Sequence, residues 1–119
     1  MSESAAEPTL FERIAAREIP AQIVAETDRV IAFHDIAPKA PVHVVVTPKQ
    51  GHYRDVVELA EGDPALLAEL VAVARDIAAD LADGDFRLIF NTGGGAGQTI
   101  FHVHAHVLAG GLQEASLAG

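Results

Sequence analysis

Ile100-Phe101-His102-Val103-His104-Ala105-His106-Val107-Leu108 holds three of the chain's six histidines within five residues. In an extended strand alternate side chains share a face, so His102, His104 and His106 point one way. Phe101, Val103, Ala105 and Val107 then point into a core. A helix would scatter the imidazoles around its circumference, so the period of two predicts a strand over residues 99–108. Neighbouring histidines would stand roughly 6.6 Å apart, from a rise of about 3.3 Å per residue. Three imidazoles on one face cannot all be charged cheaply, and each needs hydrogen-bond partners. A purely structural use is the bland reading, and strict alternation argues against it.

Two chemical readings compete. A His-x-His pair can converge on one metal ion, with His43 as a further ligand. A neutral imidazole can instead attack an electrophile or take its proton. The preceding residues, Gly93-Gly94-Gly95-Ala96-Gly97-Gln98-Thr99, favour the second. Such a turn exposes backbone N–H groups to anionic oxygens, and Gln98 and Thr99 add side-chain donors. It is no Walker loop, since no Lys follows the glycines and a strand, not a helix, comes next. The combination suggests a phosphate held against a histidine nucleophile.

Further out, Thr9 and Glu12 have capping-box spacing, so a helix is expected after Thr9, with Phe11, Ile14 and Ala15 as its apolar face and Pro20 as its end. Residues 22–26 and 29–35 read as strands joined at Thr27-Asp28. Residues 42–47 form a β-branched strand with His43, Val45 and Thr47 on one face and Val42, Val44 and Val46 in the core. Residues 52–59 read as a short helix or a loop. A long helix is expected over residues 64–83, capped by Asp63 and started by Pro64, with Gly84 as its stop. Its apolar face is Leu67, Leu70, Val71, Ala74, Ile77, Ala78 and Leu81. Val73 and Ala79 widen that face, which predicts a two-fold interface joined by an edge strand over residues 86–91. Asn91 ends that strand beside the glycine turn. A mostly antiparallel sheet with helices on one side fits this order.

The chain has 119 residues, half of them apolar, which suits one domain. Residues 1–8 read as a disordered tail, 9–111 as the domain and 112–119 as a second tail. Cysteine is absent, which excludes disulfides, cysteine zinc sites and a thiol nucleophile. The formal charge of -9 leaves no basic stripe for nucleic acid and disfavours an anionic membrane surface. No apolar run reaches the roughly 20 residues of a membrane span, and no secretory signal is visible, so the expected location is the cytoplasm.

The segment His102-Val103-His104-Ala105-His106-Val107-Leu108 resembles the motif of the histidine triad family. Phe11-Glu12-Arg13-Ile14, Glu18-Ile19-Pro20-Ala21, Ala32-Phe33-His34-Asp35-Ile36-Ala37-Pro38, Ala40-Pro41-Val42-His43, Pro48-Lys49, Asn91 and Gly97-Gln98-Thr99 resemble its purine nucleoside phosphoramidase branch. The likeness spans roughly residues 10–111. It implies an α+β fold with a five-stranded, mostly antiparallel sheet and two helices, joined in a homodimer into a ten-stranded sheet. It implies cleavage of a nucleoside 5'-monophosphate from an amine or similar leaving group, through a nucleotidyl-histidine intermediate, with neither metal nor cofactor. The alternatives are a purine nucleotide-binding module with little catalysis and a metal-dependent hydrolase.

By the same resemblance His104 is the nucleophile, oriented by His102 and His43, with His106 near the phosphate and leaving group. Asn91, Gly97, Gln98 and Thr99 lie along the phosphate and leaving-group side. Asp35 holds the ribose hydroxyls, and Phe11, Ile14, Phe33, His34 and Ile36 enclose the base. Two departures stand out. Ala109 separates the triad from Gly110-Gly111, and the chain ends Glu114-Ala115-Ser116-Leu117-Ala118-Gly119 without the branch's tryptophan-containing segment.

Overall fold

The computed structural model describes residues 7–114. Most of the tail expected over residues 1–8, and the end of that expected over 112–119, therefore lie outside the described residues. Five strands form one antiparallel sheet: β1 (Ile23–Glu26), β2 (Val30–His34), β3 (Val42–Pro48), β4 (Arg87–Phe90) and β5 (Ala105–Ala109). Their spatial order is β1-β2-β3-β5-β4, so the β-branched strand and the histidine strand are central neighbours. Val45 lies opposite His106, and Phe33 opposite Val45, which puts Phe33, Val45 and His106 on one face.

Among the described residues the α-helices number three, not the two expected: α1 (Leu10–Ala15), α2 (Val56–Gly62) and α3 (Pro64–Ala82). Asp55 caps α2 by accepting the Glu58 N–H at 2.9 Å. The Asp-x-x-Glu spacing at residues 55–58 is the local signal for this element. Pro64 ends α2, because it drives Asp63 out of the helical region (φ -154°, ψ 74°). Asp63 then caps α3 through the Leu66 N–H at 3.0 Å and pairs with Arg29 at 2.9 Å. One chain builds a sheet of five strands, as expected.

Nor do the helices share one side. Leu59 of α2 and Leu66, Leu70, Val73, Ala74 and Ile77 of α3 pack on Val30, Ala32, Val44, Val46, Ala105 and Val107. Full burial of each large aliphatic here contributes about 1.5–3 kcal/mol. On the opposite face α1 sets Phe11 and Ile14 against Phe33 and Val45. The buried stripe of α3 is also rotated from the expected one. Leu66 and Val73 are buried, whereas Val71 (39%) and Leu81 (44%) are exposed. The widened face thus loses Val73 to the chain's own core.

Two boundaries differ for local reasons. Helix α1 stops before Pro20, because Arg17 takes a left-handed conformation (φ 65°) and its N–H turns back to the Ile14 carbonyl. Strand β5 begins only at Ala105. Phe101 and His102 lie in a bend, and Phe101 is 53% exposed instead of facing the core. Val103 enters the core as expected, anchored by its N–H to the Tyr53 carbonyl and by the Thr47 hydroxyl to its own carbonyl. Among the described residues no helix is long and apolar enough to cross a membrane.

Candidate active site

A cavity of about 410 Å³ opens on the sheet face that α1 partly covers. Its apolar wall comes from Phe11 and Ile14 of α1, Phe33 of β2 and Val45 of β3. His34, Asp35 and Ile36 follow from the end of β2, and Ile36 is 98% exposed at the rim. Asn91, Gly97 and Thr99 form the opposite edge, and His104 and His106 the reactive end. Reading the sequence missed part of this lining: Leu10, Ile19, Pro20, Ala21 and Ile100 also wall the cavity. Alternation cannot find them, because Leu10 lies on α1 and the others in irregular segments after α1 or the glycine turn.

Three expected residues lie outside the lining. Gln98 is buried, and its amide is consumed by the fold. Its Nε2 donates to the Arg54 and Ile100 carbonyls at 2.6 and 3.0 Å, and its Oε1 accepts the Gly93 N–H at 2.8 Å. The turn is thereby closed on itself. The Ala96 and Gln98 N–H groups return to the Gly93 carbonyl, and the Gly97 N–H to that of Gly94. These N–H groups are engaged within the turn. Gly93 (φ 89°) and Gly97 (φ 94°) supply the positive-φ geometry the turn requires.

His102 and His43 complete the histidine cluster from behind the cavity. His102 is fully buried, with Nδ1 2.6 Å from the Thr9 hydroxyl and Nε2 2.7 Å from the Pro48 carbonyl. Its ring does not reach His104; its backbone carbonyl does, 2.9 Å from His104 Nδ1. His43 reaches His106 instead, Nε2 to Nδ1 at 2.9 Å. The expected network around His104 thus runs through the His102 carbonyl and not its ring, while His43 reaches the neighbouring imidazole of His106. The bend at residue 102 turns that ring towards α1, and the β3–β5 register carries His43 to His106.

These bonds fix tautomers. A carbonyl only accepts, so His104 Nδ1 carries the proton and its neutral Nε2 keeps a lone pair. His43 Nδ1 accepts the Lys39 N–H at 3.0 Å, so its ring proton sits on Nε2. That proton is donated to His106 Nδ1, which leaves the His106 proton on Nε2. One imidazole thus offers a lone pair and its neighbour a donor. Their rings are 5.2 Å apart in edge contact.

Burial is the first cause pushing all four imidazoles below the ordinary histidine value. For His104 the His102 carbonyl bond and the Asp35 charge oppose it. For His102 the Pro48 carbonyl and Glu12 oppose it. For His43 the Asp35 charge opposes burial, while Lys39 adds to it. His106 is pushed down to about 4, by burial and then by His104 and His43. In the unliganded site His106 is thus held neutral at neutral pH.

Asp35 accepts the Ala37 N–H at 2.7 Å and stands 3.5 Å from His43 Nε2. Asp35, His43 and His106 form a three-group set whose ligand atoms lie within 4.8 Å of one another. A cation there would have to break the His43–His106 hydrogen bond.

The family model for the HIT domain matches residues 16–111. An uncharacterised HIT-like protein of Synechocystis sp. is 48% identical over 109 residues, covering 88% of this chain and 92% of the relative. The structure of a HIT family hydrolase from Clostridium thermocellum is 44% identical with a TM-score of 0.81, covering 89% of this chain and 93% of that one. One from Legionella pneumophila is 37% identical with a TM-score of 0.83, over 93% and 99%. On the match over residues 16–111 and on these identities and coverages, the chain belongs to the HIT domain family.

Proposed function

We propose that the protein is a hydrolase that cleaves purine nucleoside phosphoramidates and related adenylates through a nucleotidyl-histidine intermediate. The carrying observation is the tautomer pair: a free Nε2 on His104 beside an N–H on His106, both at one end of a cavity with an apolar wall of Phe11, Ile14, Phe33 and Val45. The similarity to two HIT family hydrolases supports the reaction class. The apolar wall suits a flat base, and Asp35 at the rim offers carboxylate oxygens to a sugar diol.

In this reading His104 Nε2 attacks phosphorus and forms a P–N bond as the bond to the leaving amine breaks. The amine nitrogen takes up a proton from solvent. The phosphorylated ring gains positive charge, which the His102 carbonyl stabilises at Nδ1–H. The His106 Nε2–H donates to a phosphoryl oxygen or to the departing nitrogen. Water then attacks phosphorus, the P–N bond to His104 breaks, and the water's proton returns to solvent. One water is consumed; one amine and one nucleoside monophosphate leave. Asn91 and Thr99 line the side where the leaving group departs, while Gln98 holds the turn in place behind them.

The test is release of AMP from an AMP–amine conjugate, with and without chelator. Cleavage lost in His104→Ala and unaffected by chelator supports the reading. Tight AMP binding without cleavage makes the protein a binding module, and loss of activity with chelator makes it a metal-dependent hydrolase. We further propose a homodimer, on the exposed Val71 and the neighbouring Leu67 and Ala68 of α3. Sedimentation should then give twice the chain mass of 12.5 kDa.

A further inference from the structure

Thr9 lies outside the cavity, yet hydrogen bonds connect it to His104. Its hydroxyl stands 2.6 Å from His102 Nδ1, while His102 Nε2 stands 2.7 Å from the Pro48 carbonyl. Since the carbonyl only accepts, Nε2 carries the proton of the neutral ring and Nδ1 accepts from the Thr9 hydroxyl. The same oxygen caps α1 by accepting the Glu12 N–H at 3.1 Å. Glu12 closes the knot, taking the Thr9 N–H on Oε1 and the Gly51 N–H on Oε2, each at 2.9 Å.

The knot has no spare room. A Cβ on Gly51 would stand 3.1 Å from His102 Nδ1 and 3.2 Å from Thr9 Cγ2. Phe11 lies edge-on against both His102 and His104, at 5.3 and 4.8 Å between ring centres. His102 itself precedes the first β3–β5 pair, Val46 with Ala105, so its place depends on what its ring touches. Its carbonyl is the group that holds the His104 Nδ1 proton, at 2.9 Å.

We propose that Thr9 is a positioning residue for His104 and acts through His102. The Thr9 hydroxyl fixes the His102 ring, the ring fixes the His102 carbonyl, and the carbonyl holds His104 in the tautomer whose Nε2 is free. Helix α1 thereby couples the cavity wall to the reactive nitrogen. The inference rests on the nucleophilic role given to His104, but its structural half stands apart from turnover.

The experiment combines nitrogen NMR of ¹⁵N-histidine-labelled full-length protein with kinetics on an AMP–amine conjugate. The wild-type protein should show His104 protonated at Nδ1 alone. Thr9→Val keeps the shape and removes the hydroxyl. It should populate the Nε2–H tautomer of His104 and lower kcat about tenfold, within the roughly hundredfold that a displacement of about 1 Å brings, with KM nearly unchanged. Thr9→Ser should restore both readouts. Gly51→Ala leaves Thr9 in place and presses on the same bond, so it should move both in the same direction and decides the matter if Thr9→Val does not fold. An unchanged His104 tautomer in the folded variant, or a serine variant as impaired as valine, overturns the proposal. If wild-type protein cleaves no conjugate, the hydrolase reading falls, while the tautomer shift still decides the tether.

Discussion

Nε2 of His43 lies 2.9 Å from Nδ1 of His106, and this bond sets which nitrogen of His106 faces the cavity. The Lys39 N–H on the far nitrogen of His43 makes the direction of the bond definite. His43→Gln should lower kcat about hundredfold. The loss should be larger for an alkylamine leaving group than for a good one such as nitrophenol, because the donor lost serves the departing atom. Equal losses on both substrates would remove His106 from the leaving-group side.

His104→Ala removes the free Nε2 lone pair at the reactive end of the cavity. AMP release should fall by about 10⁴-fold or more, with an unchanged circular dichroism spectrum. Phosphorus NMR of wild-type enzyme quenched during turnover should show a phosphoramidate adduct that the variant lacks. Turnover retained by the variant would dismiss the nucleophile.

Activity should survive mild acid. His104 is held below the ordinary histidine value, near 6.5, so its Nε2 stays unprotonated at that pH. The acid limb of kcat/KM should have its midpoint below about 6.5 for a conjugate of known ionisation. A midpoint above it would place another group in control.

Stability should respond to the same burial. An unfolded imidazole titrates near 6.5, whereas folded His106 titrates at about 4. Between those values the unfolded chain holds a proton that the folded protein does not. Stability is therefore full above about pH 6.5 and falls as the pH drops towards 4. His43, His102 and His104 act with the same sign. Urea midpoints at intervals from pH 7.5 to 4.5 measure this, and His106→Asn should flatten the slope. An equal slope in the variant would mean that His106 is not depressed.

Leu70 is fully buried between α3 and the sheet. Leu70→Ala should cost about 2–5 kcal/mol by urea unfolding. Val71→Ala, one residue on and exposed, should cost far less in the monomer.

Alternation in residues 99–108 was enough to bring His104 and His106 to one face, because side chains in a strand alternate whatever surrounds them. It failed for Phe101, which lies exposed in a bend where the ladder had not begun and local alternation no longer binds the chain. The β-branched run of β3, the capping box at Thr9 and Glu12 and the Asp63-Pro64 start of α3 were legible for a similar reason, since each depends on neighbours within four residues. Three features came only from the tertiary structure. Packing rotated the α3 stripe to bury Val73 and expose Val71. The three-dimensional path of α1 covered the histidine face and walled the cavity. The β3–β5 register gave His43 to His106 and left His104 to a carbonyl. Each depends on which distant segment supplies a partner, and residue spacing carries no record of that. The identities of the reactive imidazoles are local, but their protons are assigned by contacts that only the folded chain makes.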